Sequence, residues 1–392
     1  MNKKVCIVTI QFPSPREVFA CNNLTVLSEK GYIVDVFTLR GKHKSHNKMI
    51  SDRKLNDINI FTGSLVSFVF GIILSVRYLK KALWLLTQII KNVNLSNQVI
   101  VTLYIIPRVF VIFNSIKNNK PDVVHSYWSH YSGLVLLLVH RFLPKIKTSC
   151  GAIAYDVRMN YFLSPFIYNS CNTIFSISEA NTKIIASRTD EPAKIITVYH
   201  GLMPSVLFHN IKAKISMRFV TAGAFIIDKR MVHVLKVFGE IQKHYSESSL
   251  TLIGDGPEKD NLIKFVKKEN LRNIVFLGHI PHEQVINEFN QATFFLFLSA
   301  IENIPNVVKE AISCKCYCIV SKTHGIEELI SDGVSGLVVD VDKPEQAALK
   351  TLQILEKKQE YITDSIDRAY EHLTSNFNES ANMDIYLSNW QK

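Results

Sequence analysis

Two glutamates in the segment SAIENIPNVVKEAISC, residues 299–314, are the first candidates for functional side chains. Glu302 and Glu310 lie eight residues apart around an Asn-x-Pro turn, and the neighbours of Glu310 are mostly apolar. A carboxylate in apolar surroundings costs free energy unless something binds it. Pro305 suits the first turn of a helix, which places Glu310 about a turn and a half inside that helix. We therefore expect the two glutamates to lie either on a solvent-exposed face or against a bound ligand.

Polar and aromatic groups also follow two predicted strands in the first half of the chain. KPDVVHSYWS, residues 120–129, ends in His125, Tyr127 and Trp128, with His130 directly after it. KIKTSCGAIAYDV, residues 145–157, places Asp156 after the next strand. Because open α/β sheets bind ligands at the carboxyl ends of their strands, these groups are expected to face a crevice. A histidine packed in the core is the alternative for His125.

The elements that must position these groups alternate between apolar strands and helices. A strand over Val5–Ile10, a helix over Phe19–Lys30 that Gly31 stops, and the strand YIVDVFTL form a strand–helix–strand unit. The pattern restarts at MRFVTAGAF, residues 217–225, and continues to YCIVSK. The sequence predicts an α/β protein of two doubly wound, Rossmann-like domains, with a hinge near residues 202–216 and a ligand cleft between them.

The segment of residues 63–93, GSLVSFVFGIILSVRYLKKALWLLTQIIKNV, is unusually apolar. Its uncharged run from Gly63 to Val76 has 14 residues, whereas a spanning helix needs about 20. Arg77, Lys80, Lys81 and Lys91 are interspersed after that run. The segment therefore predicts either core helices or a basic amphipathic surface that lies on anionic lipid.

Composition and charge narrow the possible partners. The chain has 392 residues, 20% of them charged, and a net charge of +11, which favours an anionic partner: a membrane surface, a nucleic acid or a phosphorylated small molecule. No nucleic-acid motif accompanies the charge, so no nucleic-acid partner is expected. The N-terminus is not predicted to be a secretory signal, and the seven cysteines are expected to be reduced thiols. Cys314, Cys316 and Cys318 alternate as on one face of a strand, which is not a zinc spacing.

Five motifs in order carry a resemblance to a known family. They are TAGAFIIDKR, LIGDGPE, VFLGHI, SAIENIPNVVKEA and HGIEELISDGVSGLVVD, over about residues 216–345. Their order and spacing resemble the nucleotide-sugar domain of the family 4 retaining glycosyltransferases, which have the two-domain GT-B architecture. DVVHSYW, IFSISEA and VYHGLMPSVLF agree more loosely with the family's first domain.

The resemblance implies domain limits and a site. It implies an acceptor-binding domain over residues 1–205, a donor-binding domain over residues 206–374, and a C-terminal helix, about residues 375–392, that packs back on the first domain. The donor-binding residues that it implies are Gly223, Lys229, Arg230, Gly278, His279, Ile280, Glu302, Asn303, Ile304, Pro305, Asn306, Val307 and Glu310. It further implies catalytic roles for Glu302 and Lys229, acceptor-orienting roles for Asp156 and His125, and neither a metal nor another cofactor.

The chain departs from the family pattern at several of these positions. Ala224 stands where the family has an arginine that contacts phosphate, and Arg230 stands where it has glycine. Cys150 precedes Gly151 where many relatives have a histidine that faces the donor sugar. Arg230 could supply the missing phosphate contact. Whether Ala224 and Cys150 reduce activity stays open.

The predicted function is retaining transfer of a sugar from a UDP- or GDP-sugar to a glycan or lipid-linked glycan. The expected setting is surface polysaccharide biosynthesis at the cytoplasmic face of a membrane, with peripheral binding to anionic lipid. Two alternatives stay open: an inactive GT-B scaffold, which Ala224 and Cys150 favour, and a GT-B enzyme that epimerises sugar nucleotides. Turnover of the donor with and without an acceptor separates the three.

Overall fold

The computed structural model describes residues 3–14, 17–53, 55–92, 97–207 and 213–391. The chain forms two compact units. The N-terminal unit comprises Met1–Gly201 together with Glu379–Lys392, and the C-terminal unit comprises Leu202–Asn378. Each unit is an α/β sandwich, and the predicted fold class of two Rossmann-like sheets is confirmed.

The elements alternate along the chain as the sequence pattern predicts. The strands are β1 Lys4–Thr9, β2 Ile33–Thr38, β3 Asn59–Phe61, β4 Val123–Ser126, β5 Lys147–Ala152, β6 Thr173–Ser176, β7 Ile195–Thr197, β8 Ile215–Ala222, β9 Ser249–Ile253, β10 Ile274–Gly278, β11 Ala292–Phe297, β12 Tyr317–Ser321 and β13 Leu337–Val339. The helices are α1 Val18–Glu29, α2 His46–Asp52, α3 Leu65–Arg77, α4 Leu79–Asn92, α5 Asn97–Asn119, α6 Leu134–Phe142, α7 Ala154–Met159, α8 Ser164–Ser170, α9 Glu179–Ala186, α10 Pro204–Leu207, α11 Met231–His244, α12 Lys259–Lys268, α13 His282–Gln291, α14 Asn306–Ser313, α15 Pro344–Leu355, α16 Gln359–Asn376 and α17 Glu379–Gln391.

Both sheets are parallel over the residues that the structure describes. The N-terminal sheet has the order β3-β2-β1-β4-β5-β6-β7, and the C-terminal sheet has the order β10-β9-β8-β11-β12-β13. The central strands of both sheets are mostly buried because helices cover both faces. The strand order reverses between β1 and β4 in the first sheet and between β8 and β11 in the second. In open α/β sheets, ligands bind beyond the carboxyl ends of the strands at such a switch point.

Helix α17 belongs to the N-terminal unit, although it follows the whole C-terminal unit in sequence. The Tyr386 ring stacks on Phe175, and Trp390 Nε1 donates to Ser149 Oγ at 2.8 Å. At the start of the helix, Glu379 accepts the Gly201 N–H at 2.7 Å. These contacts make the last helix part of the core of the first unit.

Helices α3, α4 and α5 carry an apolar surface that the N-terminal unit leaves uncovered. We call it the apolar helix surface; it comprises Leu65, Val66, Val69, Phe70, Ile72, Ile73 and Val76 of α3, Leu79, Leu83 and Ile90 at or within α4, and Ile100, Leu103 and Tyr104 of α5. Leu65 and Val66 are each 80% exposed. In α3 only Gly71 and Leu74 are buried, so the structure contradicts the core-helix alternative for α3.

Close packing of α3 on α5 explains why one glycine lies inside this apolar helix. A Cβ atom on Gly71 would lie 2.2 Å from the Pro107 carbonyl oxygen. Helix α5 is long and apolar enough to cross a membrane, with a mean hydropathy of 2.0, but half of it is packed inside the unit. Its buried Arg108 donates to the carbonyl oxygens of Thr38 and Phe61. These contacts tie α5 to β2 and β3, as in a core helix.

The seven cysteines are buried free thiols, but three of them do not line one face of a strand. Cys314 ends α14, Cys316 lies in the connection, and only Cys318 belongs to β12. The strand begins at Tyr317 because Lys315 turns the chain with a φ of 56°. The predicted alternation is therefore wrong.

Candidate active site

The residues predicted to bind a donor follow the carboxyl ends of strands in the C-terminal unit. Gly223 directly follows β8, Gly278 ends β10, and the segment with Glu302 follows β11. Because β8 and β11 are neighbours at the switch point, the loops after them start at adjacent positions in the sheet. The fold therefore assembles one site from segments about 80 residues apart in sequence.

Glycines allow the loops after β8 and β9 to pack backbone against backbone. Gly223 N donates to the Ile253 carbonyl at 2.9 Å, and a Cβ atom on Gly254 would lie 1.9 Å from the Gly223 carbonyl oxygen. The loop after β10 turns at Gly278 with a φ of 68°. His279 follows exposed and Ile280 half-buried.

Lys229 and Glu302 form an ion pair at the switch point. Lys229 Nζ donates to Glu302 Oε1, and both side chains keep about a fifth of their surface exposed, 23% and 17%. The Ala300 N–H donates to the Asp228 carbonyl at 2.8 Å, which ties the turn before α11 to the loop after β11. Lys229 Nζ also lies 5.5 Å from the centre of the Phe297 ring. A cation and a carboxylate are thus held together, with one face of each toward solvent.

Arg230 follows Lys229 in a conformation that favours glycine. Its φ is 46°, in the left-handed region, where the family pattern has glycine. Its Nε is sealed from solvent and has no hydrogen-bond partner among the described residues. Burying such a donor costs free energy unless an acceptor satisfies it. Arg230 thus adds a second positive charge next to Lys229 in sequence, and its Nε faces the protein interior.

The segment from Asn303 to Val307 leads from Glu302 into α14. Asn303 is 8% exposed, and a Cβ atom on Gly325 would lie 2.2 Å from its Oδ1, so the amide packs on the loop after β12. Pro305 is the N-cap residue and has no N–H to donate. The N–H groups of Asn306 and Val307 begin the helix, where a helix presents unbonded donors.

Glu310 lies in the second turn of α14 and meets the start of α13. Its Oε1 lies 3.0 Å from His282 Nε2, and 16% of its side chain is exposed. A carboxylate has about four acceptor positions, so it can bind further donors. His282 is a contact that the sequence did not indicate, because it comes from a helix 28 residues earlier.

The structure separates the two residues predicted to orient an acceptor. Asp156 has no exposed surface and pairs with His130 Nδ1, while its Oδ2 accepts the N–H groups of Ser129 and Ile153, each at 3.2 Å. His125 instead lies in the core, 1% exposed, with its Nδ1 2.9 Å from Ser149 Oγ. Burial lowers the pKa of His125 to about 3, so it is neutral near pH 7. The core-histidine alternative therefore holds for His125.

The comparison with known proteins identifies the C-terminal unit. Residues 209–372, nearly all of the C-terminal unit, match the family described as "Glycosyl transferases group 1". The C-terminal unit is a group 1 glycosyltransferase domain. The predicted enzyme class is thereby confirmed, although the match does not distinguish family 4 within the group.

Relatives and solved structures agree with this assignment. An uncharacterized glycosyltransferase of Methanocaldococcus jannaschii is 26% identical over 254 residues, 63% of this chain and 69% of that protein. The N-acetylgalactosamine-N,N'-diacetylbacillosaminyl-diphospho-undecaprenol 4-alpha-N-acetylgalactosaminyltransferase of Campylobacter jejuni is 27% identical over 48% of this chain and 52% of its own. The structure of Anabaena HepE in complex with UDP aligns over 99% of both chains, with a TM-score of 0.70 and 12% identity. That likeness shows the fold, which is GT-B.

The N-terminal unit also buries a glutamate that the sequence analysis missed. Glu17 is 2% exposed and follows the loop after β1. Its Oε1 accepts from Thr9 Oγ1 at 2.7 Å and from Trp128 Nε1 at 2.8 Å. Burial raises the pKa of Glu17 to about 7, against the opposing effect of these hydrogen bonds. The one feature of the sequence that points to Glu17 is its position after β1, near the switch point. Its own segment, FPSPRE, resembles an ordinary polar turn.

The raised pKa of Glu17 predicts a pH-dependent stability. The folded protein binds this proton more tightly than the unfolded chain, so the free energy of unfolding should fall as pH rises from about 4.5 to about 7. The loss should be about 3 kcal/mol for a shift of this size. Glu17→Gln should remove it. Trp84, Trp128 and Trp390 all lie in the N-terminal unit, so urea unfolding followed by tryptophan fluorescence at pH 5 and pH 8 measures it.

The matched control is Glu29→Gln, at an exposed position of the same helix α1. It should keep the pH dependence of the wild type. An equal pH dependence in Glu17→Gln and wild type would show that Glu17 is ionised across the whole range.

Proposed function

We propose that the protein is a retaining glycosyltransferase that moves a sugar from a nucleotide-sugar to a glycan or lipid-linked glycan during surface polysaccharide biosynthesis. The observation that carries the proposal is the Lys229–Glu302 pair at the switch point between β8 and β11. A protein of the same fold was crystallised with UDP, and a relative is named for transfer to a diphospho-undecaprenol-linked sugar. These two favour a UDP-sugar over a GDP-sugar and a lipid-linked acceptor.

The departing nucleoside diphosphate sets the chemistry of the site. Negative charge builds on its β-phosphate as the glycosidic bond breaks, and cations fixed in advance stabilise that charge. Lys229 Nζ, which is partly exposed, is the donor suited to it, and the guanidinium of Arg230 adds a second positive charge next to Lys229 in sequence. The N–H groups of Asn306 and Val307 at the start of α14 add the positive end of a helix. No metal and no other cofactor takes part in this proposal.

Glu302 and Glu310 bind different parts of the donor. Glu310 accepts hydrogen bonds from the ribose hydroxyls, and Glu302, beside Lys229, accepts from the hexose. When Lys229 moves toward the phosphate, Glu302 exchanges its ion pair for sugar hydroxyls. The acceptor hydroxyl attacks the anomeric carbon from the face that the phosphate leaves, and its proton passes to a phosphate oxygen. The configuration at that carbon is retained.

The apolar helix surface supports a location at a membrane. The sequence carries no Asp or Glu between Asp57 and Asp122, while Arg77, Lys80 and Lys91 are exposed around that surface. An apolar face with basic residues and no acidic ones fits an anionic bilayer. The surface would bring the enzyme to a lipid-anchored acceptor at the cytoplasmic face.

A transfer assay tests the proposed function. The protein is incubated with UDP- and GDP-sugars, with and without a short-chain polyprenyl diphosphate disaccharide, in the presence of EDTA. The expected result is release of UDP that depends on the acceptor and a product that keeps the donor's anomeric configuration. Nucleotide binding without turnover would support the scaffold alternative, and conversion of the donor without an acceptor would support the epimerase alternative.

Glu310→Ala tests the ribose contact within this proposal. Hydrogen bonds to a charged group contribute about 1.5–3 kcal/mol, so UDP affinity should fall about 10- to 100-fold. Calorimetry with UDP measures the change. Glu283→Ala, at an exposed position next to His282, is the control and should bind UDP like the wild type. Equal affinity of Glu310→Ala and wild type would place the ribose elsewhere.

A further inference from the structure

An aromatic cluster surrounds one histidine at the carboxyl edge of the N-terminal sheet. The cluster consists of Trp128, Tyr131 and Tyr155 around His130, with ring centres 5.3, 5.2 and 5.9 Å from the His130 ring. Tyr155 is 56% exposed, and Trp128 and Tyr131 are half-buried. Aromatic walls with a few fixed polar groups are typical of small-ligand sites.

Asp156 fixes the tautomer of His130. Because its Oδ2 accepts two backbone N–H groups, Asp156 acts as an acceptor, and Nδ1 of His130 must donate to it. Neutral His130 then carries its lone pair on Nε2. Nε2 has no hydrogen-bond partner among the residues that the structure describes, and the side chain keeps 6% of its surface exposed. The pair therefore presents one acceptor atom at a fixed position among aromatic rings.

Holding two loops together does not by itself explain why Asp156 pairs with His130. Asp156 already links the loops after β4 and β5 through the N–H groups of Ser129 and Ile153. His130 adds no further link through its second nitrogen, and Nε2 is not among the buried polar atoms that lack a partner, so it is open to solvent. A ligand hydroxyl can therefore reach Nε2 and donate to it.

We infer that His130 Nε2 accepts a hydrogen bond from a hydroxyl of the acceptor sugar and that the Tyr155 ring packs on that sugar. Asp156 is a positioning residue that acts through His130. The hydroxyl held here is not the attacking one, whose proton passes to the leaving phosphate. The inference rests on the proposed function for the name "acceptor", but the binding of a glycan by this cluster can be measured without turnover.

Tryptophan fluorescence tests the inference directly. All three tryptophans lie in the N-terminal unit, and Trp128 belongs to the cluster. Titration with a short-chain polyprenyl diphosphate disaccharide should change the fluorescence of the wild type. His130→Gln should weaken this binding about 10-fold, as expected for one lost hydrogen bond. Tyr155→Ala, at an exposed position that folding does not need, should weaken it in the same direction, while UDP affinity stays unchanged in both.

The control is His140→Gln, at an exposed position of α6, which should bind the glycan like the wild type. In the transfer assay His130→Gln should raise the acceptor KM and leave the donor KM and donor hydrolysis unchanged. No glycan binding by the wild type, or wild-type binding by both His130→Gln and Tyr155→Ala, would overturn the inference. Glycan binding that depends on His130 without any turnover would support it while contradicting the proposed function.

Discussion

Replacing Lys229 by alanine is expected to lower kcat about 10²- to 10³-fold, the usual effect of removing one donor that stabilises developing negative charge. The affinity for UDP should change much less, because the charge on the β-phosphate is larger in the transition state than in the bound donor. Lys229 is placed for this role by the turn before α11 and by its contact with Glu302. Steady-state kinetics and calorimetry with UDP separate the two effects.

Two further variants test whether the loss of kcat in Lys229→Ala comes from the loss of a cation at the phosphate. Lys236→Ala removes an exposed lysine of the following helix and should leave kcat unchanged. The double variant Lys229→Ala with Glu302→Gln removes both charges, so it tests whether the loss in Lys229→Ala comes from an unpaired Glu302. Recovery of kcat in the double variant, or an unchanged kcat in Lys229→Ala, would contradict a phosphate role for Lys229.

The donor side of the site could be predicted from the sequence because its signals are local. Gly223, Gly278 and the loop before α14 each sit next to the end of an apolar strand, and parallel strands bring their carboxyl ends to one edge. The pairing of Lys229 with Glu302 was not predictable in the same way. It depends on β8 and β11 being neighbours, and 73 residues separate the two side chains.

The N-terminal unit shows why position at a strand end did not identify the histidine that pairs with Asp156. Both faces of a parallel strand are buried, so alternation along β4 does not tell which side chains reach the surface. His125, inside β4, points into a core completed by Trp390 of the last helix. His130 lies four residues beyond the strand and meets Asp156. His125 is enclosed by α17, whose position over β4 and β5 the sequence does not indicate.

Exposure of α3 could not be deduced from its composition. A helix that is apolar on all sides is expected to be buried in a core or a membrane. The sequence therefore left two alternatives, and tertiary packing decides between them. The Gly71–Pro107 contact docks one narrow face of α3 on α5 and leaves Leu65, Val66 and Val76 uncovered.

The apolar helix surface is expected to bind anionic vesicles through both its apolar and its basic residues. The triple variant Leu65→Ser, Val66→Ser and Val76→Ser should lower partitioning about 10³-fold, because burying each such side chain stabilises by about 1.5 kcal/mol or more. The double variant Arg77→Gln and Lys80→Gln should lower it about 30-fold, since each basic residue near anionic lipid contributes about 1 kcal/mol. Lys81 is left unchanged because its Nζ lies 4.2 Å from the centre of the Phe142 ring.

Vesicle co-sedimentation over a salt series measures both effects. Salt should weaken the wild type and the apolar variant but affect the double Gln variant less, because the basic residues carry the screened part of the binding. Leu349→Ser with Lys350→Gln changes the same residue types at exposed positions of α15, in the C-terminal unit, and should bind like the wild type. The positions changed on α3 are 67–80% exposed, so the variants should unfold at the same urea concentration as the wild type. Equal binding of the wild type to neutral and anionic vesicles would eliminate the electrostatic contribution, and wild-type binding by the triple variant would eliminate the apolar one.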